Sequence, residues 1–174
     1  NASNQTPAFE GQTRAPAMAD DIALDTTFIA DGLEHPWGMA QLPDGGWLVT
    51  ERPGRLRIVS ARGALSDPIG GLPEISAGGQ GGLLDVLIAP DFASSRRLWL
   101  SFSEPVEGGN HTAVATATLA ADGRALEDVK VIFRQTPTYD GDKHFGSALA
   151  FNRQGHLFIT LGERSDKPMR PQAQ

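Results

Sequence analysis

Short apolar segments separated by turn residues are the main pattern along this chain. From residue 22 onward, apolar positions alternate or run for a few residues, and glycine, proline or aspartate bounds each segment. This pattern is typical of β-strands rather than of long amphipathic helices. It predicts a strand within residues 22–31, followed by strands at Gly38–Leu42, Trp47–Glu51 and Arg55–Val59. Asp-Gly and Pro-Gly dipeptides between the last three predict tight hairpin turns.

The unit of strand, turn and strand then recurs twice, as GGLLDVLIAPDFASSRRLWLSFS and as GSALAFNRQGHLFITLGE. The hydroxyl residues Thr50, Ser101 and Thr160, near the ends of the second strands, recur at intervals of about 50 to 60 residues. Self-similarity at such a period is typical of propeller blades. Outer strands are predicted at Ala113–Leu119 and Val129–Arg134. We therefore expect an all-β fold with about three blades of four-stranded antiparallel sheets.

The domain boundary is predicted from a change in pattern near residue 21. Residues 1–21 are polar, rich in proline and alanine and without periodicity, so we expect a flexible leader there and a partial propeller domain at residues 22–174. Propellers typically close with about 4–8 blades, and a three-blade arc exposes an unpaired strand edge and apolar faces. We therefore expect a missing C-terminal half or a second copy of the chain to cover those faces.

The composition favours a β fold and excludes several classes of partner and site. The chain has 174 residues, 20 glycines and 12 prolines, which favours a turn-rich β fold with one sizeable core. The net charge is −6 and there is no basic cluster, so a nucleic-acid partner has no electrostatic support. No cysteine is present, which excludes disulfides and thiolate metal sites. No apolar run approaches the ~20 residues of a spanning helix.

The candidate chemistry lies in the last repeat, which reads DGDKHFGSALAFNRQGHLFITLGER. If its two strands pair as a hairpin, His144 before the first strand and Glu163 after the second meet at the same end. A carboxylate beside a histidine fixes its tautomer and favours its charged form, as a general base requires. The alternative is an ordinary surface histidine beside an acidic loop residue. Asp140 and Asp142 lack the further acidic ligands of a calcium loop, so no metal ligand is predicted.

Three segments in order, HPWGMAQLPDG–WLVTER, GQGGLLDVLIAPDF–RRLWLSFS and KHFGSALAF–GHLFITLGE, resemble the soluble glucose/sorbosone dehydrogenases. Within these the chain is most similar to the aldose sugar dehydrogenases that use pyrroloquinoline quinone (PQQ). The resemblance runs from about Ile22 to the C-terminus. It implies a six-bladed β-propeller of roughly twice this length, of which this chain is the N-terminal half. It also implies a periplasmic or secreted protein and an aldose sugar as substrate.

The resemblance further implies roles for particular residues. His144 matches the general base that takes the proton of the anomeric hydroxyl, and Glu163 falls where the family has an acidic residue, often aspartate, that supports it. Gln80, in the sequence AGGQGG, matches a glutamine near the substrate and quinone face; without the resemblance it reads as a loop between blades. In the family, the arginines and lysine that clamp the quinone lie in the other half of the protein. Most ligands of the calcium ion lie there too. We therefore expect this chain alone to hold neither PQQ nor calcium stably, and to be inactive.

Two other function classes remain open. One is a non-catalytic sugar- or protein-binding propeller, because a fold does not determine a function. The other is a calcium-dependent lactonase-like propeller hydrolase, which ranks last because the spread of Glu, Asn and Asp ligands that it needs is not found in these repeats.

Overall fold

The computed structural model describes residues 6, 8–12, 22–165 and 170, and within them the protein is almost entirely β. The predicted flexible leader at residues 1–21 falls mostly outside the described residues. No helix in the described ranges is long and apolar enough to cross a membrane. The elements are β1 (Pro36–Gln41), β2 (Trp47–Glu51), β3 (Arg55–Val59), β4 (Leu83–Ile88), α1 (Phe92–Ser95), β5 (Arg97–Val106), β6 (Gly109–Leu119), β7 (Leu126–Arg134), β8 (Gly146–Phe151) and β9 (Leu157–Leu161).

The strands form three antiparallel sheets, with the orders β1-β2-β3, β4-β5-β6-β7 and β8-β9. The first strand of each sheet lies beside the first strand of the next, because β4 contacts both β1 and β8. This is the arrangement of consecutive propeller blades around a common axis. The prediction of an all-β fold with three antiparallel sheets is therefore confirmed.

Two details of the prediction are wrong in the part of the chain that the structure describes. Only the second sheet has four strands; the first has three and the third has two. Residues 22–31 form no strand, although their apolar positions alternate. They run beside the first sheet, where Phe28 and Ile29 line an apolar groove with Trp47, Val49 and Val59. Alternation along the sequence is therefore not accompanied here by the backbone pairing that makes a strand.

The main core lies between the first and second sheets. Leu48 and Leu56 of the first sheet and Leu100 and Phe102 of β5 are completely buried in one apolar cluster. On β6 the residues facing this cluster include alanines, and Ala115 pairs directly with Leu100. Small side chains there let large ones from both sheets interdigitate. Each fully buried Leu or Phe contributes roughly 1.5–3 kcal/mol, so this core fixes how the two sheets pack.

The first strand of every sheet contains a β-bulge, a point at which its pairing with the next strand shifts. The antiparallel register shifts once in β1, once in β4 and once in β8. A side-chain hydroxyl of the adjacent strand then accepts a hydrogen bond from an amide at each shift. The pairs are Gly38 N to Thr50 Oγ1 at 2.8 Å, Asp85 N to Ser101 Oγ at 2.9 Å, and Ala148 N to Thr160 Oγ1 at 2.8 Å.

Two of these hydroxyls also link one sheet to the next. Thr50 Oγ1 donates to the carbonyl of Leu84 at 2.5 Å, and Ser101 Oγ donates to the carbonyl of Ser147 at 2.7 Å. The hydroxyl repeat seen in the sequence therefore has a structural cause, because each member bonds the amide at a bulge and the first two also join neighbouring sheets. Thr160, the third member, contacts the carbonyl of Ala148 in its own sheet at 3.4 Å.

Candidate functional site

The hairpin of β8 and β9 brings together the two residues at the centre of the predicted chemistry. Gly146 at the start of β8 pairs with Leu161 at the end of β9. His144 and Glu163 therefore emerge at the same end, and His144 Nδ1 lies 2.6 Å from Glu163 Oε1. The predicted proximity is confirmed, while the catalytic roles of the two residues stay predictions.

Close approach of the two chain segments explains the glycines that flank the pair. A Cβ on Gly162 would collide with the carbonyl oxygen of His144, and one on Gly146 would lie 2.7 Å from the amide nitrogen of Gly162. His144 itself has φ = 50°, a left-handed conformation that few non-glycine residues adopt. Strained residues of this kind persist where the surroundings hold them, and they cluster at functional sites.

The hydrogen bond between the two side chains sets the chemistry of the imidazole. With Glu163 as acceptor, the neutral ring carries its proton on Nδ1, so the lone pair is on Nε2. The hydrogen bond from His144 lowers the pKa of the Glu163 carboxyl below its ordinary value, which keeps the carboxylate ionised near neutral pH. The His144 side chain is 42% exposed, so a small molecule can reach the ring. The pair can accept a proton and stabilise the resulting imidazolium.

Gln80 belongs to the same site. Its side-chain Oε1 accepts a hydrogen bond from the backbone N of His144 at 2.9 Å, and its own backbone N donates to the carbonyl of Asp142 at 2.8 Å. The neighbouring glycines make this interlocking possible, because a Cβ on Gly79 would collide with the Asp142 side chain and one on Gly81 would lie 2.9 Å from the Phe145 ring. The structure thus joins all three residues that the sequence singled out.

Sequence reasoning missed Phe145 and Arg164, which lie directly beneath the site. Phe145 is 3% exposed, and the guanidinium carbon of Arg164 lies 4.1 Å from its ring centroid. The sequence signal for Phe145 is an aromatic residue directly after His144 in a polar loop. Arg164 follows Glu163 and carries no comparable signal, because a charged residue at the end of a strand is ordinarily expected at the surface.

The described residues fit a planar quinone in part and offer no cluster of acidic side chains for a calcium ion. Gln80 is exposed and bonded to the His144 backbone, and a Cβ on Gly78 in the same loop would meet open space, so a planar group has room to lie against this loop. By contrast, the described residues contain no group of three or more His, Asp or Glu side chains that could hold a metal ion. Hard cations such as calcium need several oxygen ligands, and the side chains of the described residues do not supply them as a cluster.

Comparison with known proteins gives a consistent result. The sequence profile of the glucose/sorbosone dehydrogenase family matches residues 33–174. An aldose sugar dehydrogenase of Escherichia coli K12, YliI, is 48% identical over 152 residues, which are 86% of this chain and 41% of that protein. An uncharacterised protein of Synechocystis, slr1608, is 39% identical over 97% of this chain and 42% of its own length. The chain therefore spans about two fifths of the curated relatives that it matches.

Solved structures show the same similarity in three dimensions. A glucose dehydrogenase crystal structure superimposes with a TM-score of 0.80 at 55% identity, covering 83% of this chain and 43% of the other. The PQQ-bound form of an aldose sugar dehydrogenase from Streptomyces coelicolor superimposes with a TM-score of 0.68 at 30% identity, over 80% of this chain and 41% of the other. With its all-β blades, its three motifs and this family match, the chain belongs to the glucose/sorbosone dehydrogenase family.

Proposed function

We propose that this chain supplies the general-base side of the active site of a PQQ-dependent aldose sugar dehydrogenase. The observation that carries the proposal is the His144–Glu163 pair, which leaves Nε2 of an accessible imidazole as a proton acceptor. The relatives support the proposed substrate class and cofactor, because the E. coli protein is named an aldose sugar dehydrogenase and the S. coelicolor structure contains PQQ.

The chain's own residues perform the proton chemistry. The anomeric hydroxyl of the sugar donates a hydrogen bond to Nε2 of His144, which takes the proton as the C–H bond at the same carbon breaks. A positioned base of this kind contributes about 10²–10⁴-fold to the rate. Glu163 orients the ring through Nδ1 and stabilises the imidazolium, while Gln80 holds the His144 backbone. PQQ, when bound, supplies the electron acceptor for the hydride, and the sugar leaves as a lactone.

The remaining parts of the site come from outside this chain in the proposed enzyme. The complementary half of a longer protein would contribute the cationic clamp for the quinone carboxylates and the calcium ligands. The same half, or a second copy, would cover the apolar surface around Phe28 and Met39, which are 79% and 66% exposed. An unpartnered apolar patch beside a sheet edge favours a covering partner. From the family resemblance we propose a periplasmic or secreted enzyme.

The experiment uses the full-length protein loaded with PQQ and calcium. We expect His144→Ala to lower the rate of quinone reduction by two orders of magnitude or more, because the group proposed to take the hydroxyl proton is removed. Glu163→Gln should cost less, since the amide oxygen still accepts the Nδ1 hydrogen bond but no longer stabilises a cation. His156→Ala serves as the matched control, because His156 is an exposed histidine that bonds Asn152 in the β8–β9 turn, at the other end of the hairpin from His144.

A wild-type rate of quinone reduction in His144→Ala would contradict the assignment of the base. If the loaded wild-type protein instead binds aldoses without reducing the quinone, the non-catalytic sugar-binding function is favoured.

A further inference from the structure

Arg164 is a charged side chain in an environment that charged side chains rarely occupy. The residue is only 3% exposed. Burial lowers the pKa of its guanidinium, which nonetheless starts from so high a value that the group stays protonated. Placing such a cation out of water is costly unless its donors are satisfied. The partners of this guanidinium therefore indicate what the residue does.

Arg164 donates hydrogen bonds to the loop that leads into His144. Its Nε donates to the carbonyl of Lys143 at 3.0 Å, and its Nη2 donates to the carbonyl of Gly141 at 2.7 Å. These two carbonyls lie one and three residues before His144. The planar fork thereby ties two points of the same loop at a fixed separation.

The same guanidinium anchors that loop to the second sheet. Nη2 also donates to Oδ1 of Asn110 at 2.6 Å, and the Asn110 side chain donates in turn to the carbonyl of Gly141 at 3.0 Å. Asn110 belongs to β6, so the anchor is a strand of the packed second sheet. The guanidinium also makes a cation–π contact with the ring of Phe145, the residue that follows His144.

The backbone of Arg164 completes the connection. Its amide N donates to the carbonyl of His144 at 3.3 Å, and it directly follows Glu163 in the chain. We propose that Arg164 is the positioning residue of the site: it locks residues 141–145 in the conformation that aims Nδ1 of His144 at Glu163. The inference rests on the proposed function in one respect, because the ring it positions is there the general base.

The shape of the fork matters more than its charge in this arrangement. The acceptors described above are carbonyl oxygens, and no carboxylate is among them. A lysine at this position keeps a positive charge but lacks the planar set of donors that reaches Lys143, Gly141 and Asn110 together. Arg164→Lys is therefore expected to behave like Arg164→Gln in the alignment of His144.

The first measurement reports alignment without catalysis. The pKa of the Glu163 carboxyl is followed by ¹³C NMR in the full-length protein without cofactor. In the wild type the hydrogen bond from His144 holds this pKa low. In Arg164→Gln and Arg164→Lys the loop is released, so we expect the pKa of Glu163 to rise toward the ~4.3 of an unperturbed glutamate.

Arg96→Gln is the matched control. The Arg96 guanidinium likewise donates to two backbone carbonyls, those of Leu119 at 2.7 Å and Ala120 at 2.5 Å, but it lies at the opposite end of β5 from the site. Its replacement removes similar hydrogen bonds and should leave the pKa of Glu163 unchanged. Should Arg164→Gln fail to fold, Asn110→Ala removes one anchor and is expected to raise the pKa of Glu163 by a smaller amount.

The second measurement is the rate of quinone reduction in the loaded full-length enzyme. We expect Arg164→Gln to lower kcat about 10- to 100-fold with little change in KM, because misplacing a catalytic group by about 1 Å costs up to ~10²-fold. A wild-type pKa of Glu163 in Arg164→Lys, Arg164→Gln and Asn110→Ala would overturn the positioning role, whatever His144 does. Conversely, a raised pKa together with a wild-type rate in His144→Ala would support the positioning and refute the proposed function.

Discussion

The hydroxyl of Thr50 offers a test of how the sheets are joined. The residue is completely buried; it accepts from Gly38 N at 2.8 Å and donates to the carbonyl of Leu84 at 2.5 Å. Thr50→Val keeps the shape of the side chain and removes only the hydroxyl. The amide and the carbonyl then lose this partner, one at the bulge of β1 and the other in the neighbouring sheet.

The size of the effect follows from burial. An unsatisfied buried donor or acceptor costs about 1–3 kcal/mol, and water can partly replace the bond at the half-buried Gly38. We therefore expect Thr50→Val to lower the free energy of unfolding by about 2–4 kcal/mol. Thr160→Val is the matched comparison, because Thr160 occupies the same place in the third sheet but is exposed and bonds an exposed amide, that of Ala148. Its cost in this chain should be at most ~1 kcal/mol.

Equilibrium urea unfolding of both variants measures the difference. With an m-value of about 1–3 kcal/mol/M, Thr50→Val should shift the midpoint by on the order of 1–2 M, and Thr160→Val by much less. Equal shifts in the two variants would refute the idea that the buried, inter-sheet hydrogen bond of Thr50 stabilises the fold more than the exposed bond of Thr160. In a full-length protein whose next blade covers Thr160, the cost of Thr160→Val should rise to that of Thr50→Val.

Two further predictions concern a buried carboxylate and a glycine. Burial alone would raise the pKa of Glu51, but hydrogen bonds from Arg55 and from a backbone amide, with nearby arginine charge, outweigh it and leave the pKa below its ordinary value. Because the folded-state pKa is the lower one, this stabilisation is present above about pH 4.3 and is lost as pH falls through the folded-state pKa. Urea midpoints of wild type and Glu51→Gln should therefore differ at pH 7 and converge at acidic pH; a constant gap would contradict this. Gly162→Ala should separate His144 from Glu163, because the added Cβ meets the His144 carbonyl. The pKa of Glu163, followed by ¹³C NMR, should therefore rise. Gly155→Ala is the control, because a Cβ there meets open space and should leave the pKa of Glu163 unchanged.

The sequence by itself determined the strands that are bounded by turn residues next to them in the chain. The strands β2 and β3 begin and end where the alternation and the turn residues predict, and β8 and β9 are the two strands of the predicted last repeat. The meeting of His144 with Glu163 also followed from sequence, because pairing within one hairpin brings its two ends together whatever surrounds it. Gln80 came from resemblance to a known family, since nothing in a glycine-rich loop reveals the distant segment that it contacts.

Tertiary structure decided what depends on distant parts of the chain. Residues 22–31 have the alternation of a strand but form none, because a strand requires a backbone partner and these residues lie beside the first sheet without pairing with it. Arg164 is the sharper case: its burial results from carbonyls and rings supplied by β6 and by the loop before β8, which meet only in the folded protein. Pattern along a chain records which side of a strand is apolar, whereas the satisfaction of a buried cation depends on groups that folding brings together.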